Sequence, residues 1–324
     1  AYAFRNTMIT EIVVPENVTG IGLGAFQGCP LVSVTLPFVG NTAETTGWTG
    51  TFGYIFGHTT IRNGGETRTS DNVDYTSLEI WDGNYRIYVY VPETLRHVTI
   101  TQDTTIPQSA FNNCDLIETI VLPDCVVSIG NSAFHNATAL QSVDIGWENI
   151  SSIGNNAYRN CSSLVRIGDV EKIISIPANV TTLGNYAFAG CTQFTTVIVD
   201  MVGTIGEGAF DGCTGVTSIT IGDKVTTIGK NAFQNTMITE IVVPDNVTNI
   251  GEGALRGCPL VSVTVPFIGN SIAQDDGVSG VFGIIFGCTW TRNNLSSVRT
   301  SSGKEYTYQY YDTRYTDYYA YYVP

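Results

Sequence analysis

Histidine is almost missing from this chain of 324 residues: only His58, His97 and His135 occur, and they belong to different predicted elements. There is no Walker loop, no GxGxxG after a strand, no HExxH and no zinc-ligand spacing. No nucleophile–base–acid arrangement can be assembled from such a set, so neither an enzyme nor a cofactor is expected. Basic residues are scarce too, with 15 Lys and Arg against 29 Asp and Glu, a net charge of −14. That balance excludes nucleic acid, whose phosphates need clustered cations, and an anionic membrane surface. Long apolar runs are absent, so no segment of the chain is expected to insert in a membrane. An initiator Met and a signal peptide are also absent. The chain opens at Ala1 in the middle of a repeating pattern, which reads as a processed form or a fragment.

Apolar content is 43%, enough for a continuous core. It is arranged as a cassette. Ala3-Phe4, Ala25-Phe26, Ala110-Phe111, Ala133-Phe134, Ala157-Tyr158, Ala187-Phe188, Ala209-Phe210, Ala232-Phe233 and Ala254-Leu255 mark nine copies. Neighbouring markers lie 22 to 24 residues apart, apart from one gap of 30 and one interruption after residue 37. A fixed period in the twenties means that each copy is one coil of a solenoid, buried only by stacking on its neighbours. The copies share a short alternating strand with Val216, Ile219 and Ile221 inward, then a turn, then a second extended piece such as residues 225–228. Gly22, Gly130, Gly154, Gly184, Gly206, Gly229 and Gly251 follow it, asking for a left-handed backbone or a close approach. The Ala-Phe piece is predicted as one helical or 3-10 turn whose aromatics stack into a spine.

Eight cysteines divide into two groups. Cys29, Cys114, Cys161, Cys191, Cys213 and Cys258 each stand four residues after a marker Ala and are predicted as buried free thiols. In-register side chains on stacked coils point the same way, which is poor disulfide geometry. Cys125 and Cys288 lie off that pattern and are the candidates for reaction or pairing, so whether they are free stays open.

The segments LVSVTLP, ITEIVVPDNVTNIGEGAF and VTSITIGDKVTTIGKNAF resemble the BspA-like leucine-rich repeats over most of residues 1–37 and 93–268. The resemblance implies a repeat solenoid of leucine-rich-repeat type, mainly short parallel strands with one-turn helical segments. It also implies a secreted or cell-surface protein of bacteria or trichomonad protists, associated with adhesion to host surfaces, matrix proteins or other cells. Fold transfers more securely than function in repeat families.

Four regions are expected: repeats over 1–37, an insert over 38–92, repeats over 93–268 and a second insert, homologous to the first, over 269–324. Phe52 and Phe56 are candidates to replace the missing spine aromatic. Asp82-Gly83 joins two apolar-aromatic runs and predicts a β-hairpin. Trp81, Tyr85, Tyr88 and Tyr90 of the first insert and Tyr310, Tyr311, Tyr315 and Tyr318 of the second form the candidate binding surface. Tyrosine offers a large rigid contact with a polar tip, though the same residues would serve to cover the inserts' own sheets. Residues 3–41 and 232–270 agree at 31 of 39 positions, so the short period is nested in one of 229. Both chain ends cut the pattern, which raises end-to-end continuation into a filament or surface coat as the alternative to an adhesin.

Glu66, Asp71, Asp74 and Asp82, and Asp275-Asp276, are loop acids with no EF-hand spacing. Sequons occur at Asn17, Asn136, Asn149, Asn160, Asn179, Asn246 and Asn294, candidates for N-glycosylation that the repeat consensus NVT partly generates by itself. The outward strand positions, among them Thr10, Glu11, Val13, Ser33, Thr35, Thr119, Ser142, Thr196 and Thr220, form a flat face poor in charge. The reading is a non-enzymatic extracellular interaction protein whose partners are proteins or glycans at a cell surface or matrix, with self-association end to end as a further possibility.

Overall fold

The computed structural model describes residues 1–43, 45, 47–61, 75–81, 86–266, 285–286, 288–291, 307–312 and 318–323. It divides into two compact units, Ala1–Lys172 and Ile173–Pro324. Each is a β-solenoid in which one coil lays a strand on each of two parallel sheets. In the first unit the first sheet orders Glu11–Val13, Ser33–Leu36, His97–Ile100, Thr119–Val121, Ser142–Asp144 and Arg166–Ile167. Its register places Ile12, Val34, Val98, Ile120, Val143 and Ile167 in one column. All of these but Ile12 are buried, as strands with one inward face require. The second sheet pairs Thr105–Ile106, Ser128–Ile129 and Ser152–Ile153.

The second unit repeats the plan. Ile173–Ile176, Thr196–Val199 and Ser218–Ile221 form one parallel sheet, and Glu240–Val242 pairs with Ser262–Thr264. Thr182–Leu183, Gly203–Ile205, Val225–Ile228 and Asn249–Ile250 form the other. The 30-residue cassette has a local cause: after Arg166–Ile167 the chain reverses at Gly168 and runs back as Val170–Glu171, an antiparallel detour.

The Ala-Phe pieces are not helical. Two residues per copy have positive φ, for instance Ser132 (54°) and Asn136 (58°), and split the piece into successive turns. Bonds such as Ala133 N–H to Gly130 O and Ala137 N–H to Phe134 O close them. A left-handed residue cannot continue a 3-10 helix, so the predicted turn of helix does not form. Short 3-10 helices lie elsewhere, at Gly47–Gly50, Phe52–Phe56 and Trp147–Asn149.

The aromatic spine is present in both units. Ring centroids are 5.6 Å apart for Phe4–Phe26, 5.5 Å for Phe111–Phe134 and 4.9 Å for Phe134–Tyr158. Phe188–Phe210 and Phe210–Phe233 are each 5.7 Å apart. Stacked pairs of this kind add about 0.5–1.5 kcal/mol each beyond the area they bury. The first interruption does not break the spine. The helix Phe52–Phe56 stands where a marker turn would: Phe26 N–H donates to Ile55 O, and Phe52 N–H donates to Ala110 O. Phe52 supplies the missing ring, 5.1 Å from Phe111. The strand register also passes over the insert, since Ser33–Leu36 pairs directly with His97–Ile100.

The inserts themselves are small antiparallel sheets. In the first, Arg86–Pro92 is central between His58–Ile61 and Tyr75–Trp81. The predicted hairpin exists, but pairing closes at Trp81 and Arg86, so residues 82–85 connect the strands rather than Asp82-Gly83 alone. The edge strand His58–Ile61 adds a third strand to that hairpin. The second insert has the same order, with Tyr318–Val323 between Cys288–Thr291 and Thr307–Asp312. It is anchored the same way, by Leu255 N–H donating to Ile285 O.

Candidate binding surfaces

The first surface is the outer face of the first insert sheet. Val89 and Val91 of its central strand are buried, and strand residues alternate between faces, so positions 86, 88 and 90 belong to the opposite face. Across the sheet Arg86 is paired with Trp81, Tyr88 with Glu79 and Tyr90 with Ser77. The register therefore brings the candidates Trp81, Tyr88 and Tyr90 together on one face, with Glu79 among them. Tyr85 lies outside the described residues. In the second insert Tyr310 pairs with Ala320, and Tyr318 with Asp312, which puts Tyr310 and Tyr318 on a common face. Tyr311 pairs with Tyr319 and falls on the other face, so the candidate set there divides. Tyr315 lies outside the described residues.

The second surface is the exposed side of the first sheet. His97 is exposed, and its Nδ1 lies 2.8 Å from Thr119 Oγ1. Arg96 pairs with Glu118 at 3.5 Å and Arg166 with Asp144. Ser142, expected to face outward, is only 8% exposed, because Thr119 and Arg166 flank it in register and narrow its access to water. In the second unit the corresponding side carries Thr217, Ser218, Thr220, Val242 and Val261, all exposed.

The turn layer forms the third surface, and here side chains join coil to coil. Asn160 Nδ2 donates to Asn136 Oδ1 at 2.9 Å, and Asn136 Nδ2 donates to Asn113 Oδ1 at 2.8 Å. His135 Nδ1 lies 3.2 Å from Asn112 Oδ1. Burial, and secondarily the nearby Arg159 guanidinium, hold the His135 pKa below its ordinary value. His97 and His135 thus sit on different layers.

Beneath this layer the cysteine column is buried and free at Cys29, Cys114, Cys161, Cys191, Cys213 and Cys258. Its thiols do more than fill space: four of the six hydrogen-bond the carbonyl of the aromatic one coil earlier. The bonds are Cys29–Phe4 (3.0 Å), Cys161–Phe134 (3.0 Å), Cys213–Phe188 (3.1 Å) and Cys258–Phe233 (3.2 Å). Burial raises the thiols of Cys114 and Cys161 far above the usual range and pushes Cys213 up to about 12. Thr7 and Thr236 hold the same column position and donate to Phe4 O and Phe233 O. These hydroxyls bond within their own turn, and Phe4 O and Phe233 O also accept from Cys29 and Cys258 of the next coil. Cys125 is exposed and free, with Sγ 3.5 Å from Asp103 O. Cys288 begins a strand of the second insert.

The sequon asparagines Asn17, Asn149, Asn160, Asn179 and Asn246 are exposed, and Asn136 is half-buried. Asn149 Nδ2 donates to Asp124 O at 3.0 Å, and Asn246 Nδ2 to Asp223 O, both one coil earlier. Asn294, Glu66, Asp71, Asp74, Asp82, Asp275 and Asp276 lie outside the described residues. Among the described residues no group of three His, Cys, Asp or Glu side chains could hold a metal ion. No helix among them is long and apolar enough to cross a membrane.

No curated protein matches the chain. Similar solved structures include a leucine rich cell surface protein from Faecalibacterium prausnitzii A2-165, with 26% identity and a TM-score of 0.48. That match covers 63% of this chain and 56% of the other, so the chain spans little more than half of that protein. A T. pallidum Leucine Rich Repeat protein is 19% identical over 70% of this chain and 76% of its own, with a TM-score of 0.40. A leucine-rich repeat protein from Bacteroides ovatus ATCC 8483 is 21% identical over 62% and 65%, with a TM-score of 0.38. The model of the BspA type leucine rich repeat region matches residues 1–46, 86–173 and 169–275 in six copies. These spans take in both solenoid stretches and more than half of the residues, and the chain belongs to the BspA-type leucine-rich-repeat family.

Proposed function

We propose that this chain is a non-enzymatic interaction module displayed outside a cell, where it adheres to protein or glycan ligands. The observation that carries the reading is the repetition of the insert. Two three-stranded sheets of the same strand order are attached to their coils through the same bond, Phe26 N–H to Ile55 O and Leu255 N–H to Ile285 O. Among the described residues the coils otherwise repeat one plan, apart from the detour at Val170–Glu171, with coil-to-coil bonds at the same columns. A scaffold that repeats an elaboration at one attachment point is built to present it. Family membership supports an extracellular place, since BspA-like arrays are typically surface-displayed. The separation of His97 from His135 supports an interaction role over catalysis.

The test is adhesion of the purified chain to immobilised matrix proteins and to cultured host cells. Replacing residues 58–91 by a short Gly/Ser linker should weaken adhesion while the solenoid's melting transition persists. Adhesion unaffected by removal of both insert sheets would refute the role given to them, and absence of adhesion to any surface would refute the reading itself.

A further inference from the structure

The turn that leads from a marker Ala to the first inward strand residue comes in two lengths. Val216 stands seven residues after Ala209, as Phe194 does after Ala187, but Ile238 stands six after Ala232 and Leu260 six after Ala254. Coils with turns of equal length pair strand to strand: Thr196–Val199 with Ser218–Ile221, and Glu240–Val242 with Ser262–Thr264. Each of these pairings starts from a forked bond. Thr217 and Ser218 N–H both donate to Thr195 O, and Val261 and Ser262 N–H both donate to Thr239 O. The first unit agrees, since Ile9 and Leu31 each follow their Ala by six and Glu11–Val13 pairs with Ser33–Leu36. Where a turn of seven meets a turn of six, between the coils of Ala209 and Ala232, the pairing fails. Ser218–Ile221 ends a three-stranded sheet, and Glu240–Val242, which lies beside it, starts a separate one. Among the described residues the main-chain bond left on that side is Met237 N–H to Val216 O, at 2.8 Å. One residue fewer in the turn puts the strand's N–H and C=O groups out of line with those of the coil before it.

The other sides of the same boundary are tied. On the second sheet Thr227 pairs with Asn249 and Ile228 with Ile250, and Thr248 N–H donates to Thr226 O at 2.8 Å. On the turn layer Phe210 N–H donates to Ala232 O at 2.8 Å, Gly212 N–H to Gln234 O at 2.9 Å and Gln234 Nε2 to Asp211 Oδ1 at 3.1 Å. We propose that this boundary is a hinge built into the second unit: the seam between Ser218–Ile221 and Glu240–Val242 opens while the second sheet and the turn layer hold. Local opening starts where ladder bonds are fewest, and two bonded sides leave one direction for it. Ile221 and Ile241, 7% and 2% exposed, are side chains that opening would wet. Beyond the hinge lies Leu255, whose N–H holds the second insert through Ile285 O, so the part that swings is the part that carries that insert. The hinge is independent of the adhesive role, because it works in the same way whatever the insert touches.

The test is hydrogen exchange of the full chain, read by mass spectrometry of peptic fragments. Fragments covering 217–222 and 238–243 should exchange about tenfold faster than those covering 195–200 and 225–229. Equal rates would overturn the proposal. Two length variants then move the seam. A glycine inserted between Thr236 and Met237 gives that coil a turn of seven, so protection should rise at Ser218–Ile221 and fall at Ser262–Thr264. Deletion of Thr214 gives the coil of Ala209 a turn of six, so Ser218–Ile221 should pair with Glu240–Val242 and fast exchange should move to Thr196–Val199. Fast exchange that stays at 217–222 in a variant with a retained melting transition would refute turn length as the cause and overturn the hinge. Where a variant misfolds, the wild-type comparison decides by itself.

Discussion

Gly229→Ala tests the stacking logic of the solenoid most directly. Gly229 is not left-handed, so its conformation suits alanine. Its problem is the neighbouring coil. A Cβ there would meet Glu207 N, Gly206 C and Ile205 O, each at 2.7 Å. All three are backbone atoms and cannot rotate away. Relief to an ordinary contact of 3.4 Å needs a shift of roughly 0.7 Å, against a strand spacing of about 4.8 Å. That shift strains the Gly229 N–H to Ile205 O bond of 2.9 Å and the adjoining Ile205–Ile228 pairing. Overpacking with lost hydrogen bonding puts the cost near 3 kcal/mol. Gly212 provides the contrast. Its φ is +70°, but an added Cβ would meet only Gly190 N, at 3.9 Å. Gly212→Ala should therefore cost about 1–2 kcal/mol through backbone conformation alone. Gly212→Asn should be milder still, because Asn136, Asn160 and Asn235 hold the same column with φ near 60°. Urea unfolding followed by circular dichroism ranks the three variants by their midpoints. Gly229→Ala within about 0.5 kcal/mol of wild type, or milder than Gly212→Ala, would refute the close-approach account.

Three further outcomes are expected. Asp103 is 1% exposed and its Oδ2 accepts the Val39 N–H at 2.6 Å, joining the coils before and after the first insert. Asp103→Ala should cost about 1–3 kcal/mol in urea unfolding, and Asp103→Asn, which keeps an acceptor, should recover part of it. The depressed pKa of His135 means that the unfolded chain binds its proton first as pH falls through about 6.5. Its contribution to stability is complete above that pH and lost below it, so His135→Gln should flatten the acid side of a melting-temperature profile; an unchanged slope would exclude this origin. The raised thiols of Cys114, Cys161 and Cys213 act in the opposite direction: their contribution is complete below pH 9 and declines as pH rises toward the raised native values. Cys125 should react quickly with a thiol reagent in the native chain, and Cys29, Cys114, Cys161, Cys191, Cys213 and Cys258 only on denaturation.

Periodicity made the architecture legible because each coil repeats one solution to one packing problem. Alternation at Val216, Ile219 and Ile221 determined which strand face turned inward, and Phe52 was recognisable as a spine residue from its type alone. The recurring glycines were harder. Sequence left both a left-handed backbone and a close approach open, and stacking distance decides for the second: the Cβ positions of Gly130, Gly154, Gly206 and Gly251 also fall within 2.6 Å of the preceding coil's backbone. The left-handed positions went to Ser132, Asn136 and even Tyr186, which composition does not flag. Tyr186 is tolerated beside Gly208, whose absent side chain leaves room for the tyrosine ring: an added Cβ there would lie 2.3 Å from it. Such a pairing is visible only once the coils are in register. The candidate binding residues behaved similarly. Their identities were plain, but the side of the sheet each occupies follows from the pleat, which groups Tyr310 with Tyr318 and sets Tyr311 apart.

The same principle gives the sequons a physical origin. Asn149, Asn179 and Asn246 occupy one turn of the cassette, and Cys125 stands at that position in the coil beginning with Thr119–Val121. Asn149 and Asn246 each send an amide N–H to a main-chain carbonyl one coil earlier, and Cys125 sends its thiol to Asp103 O in the same manner. Asn136 and Asn160 do the equivalent on the turn layer through side-chain oxygens. At this turn a main-chain acceptor faces the neighbouring coil, and a short side chain with a donor one or two bonds beyond Cβ reaches it. Asparagine followed one position later by an inward Val and then by a strand-favouring Thr is the cheapest way to write that turn. An N-x-T or N-x-S triplet marks the clasp at Asn149 and Asn246, so such triplets arise in this chain from coil stacking before any modification is invoked.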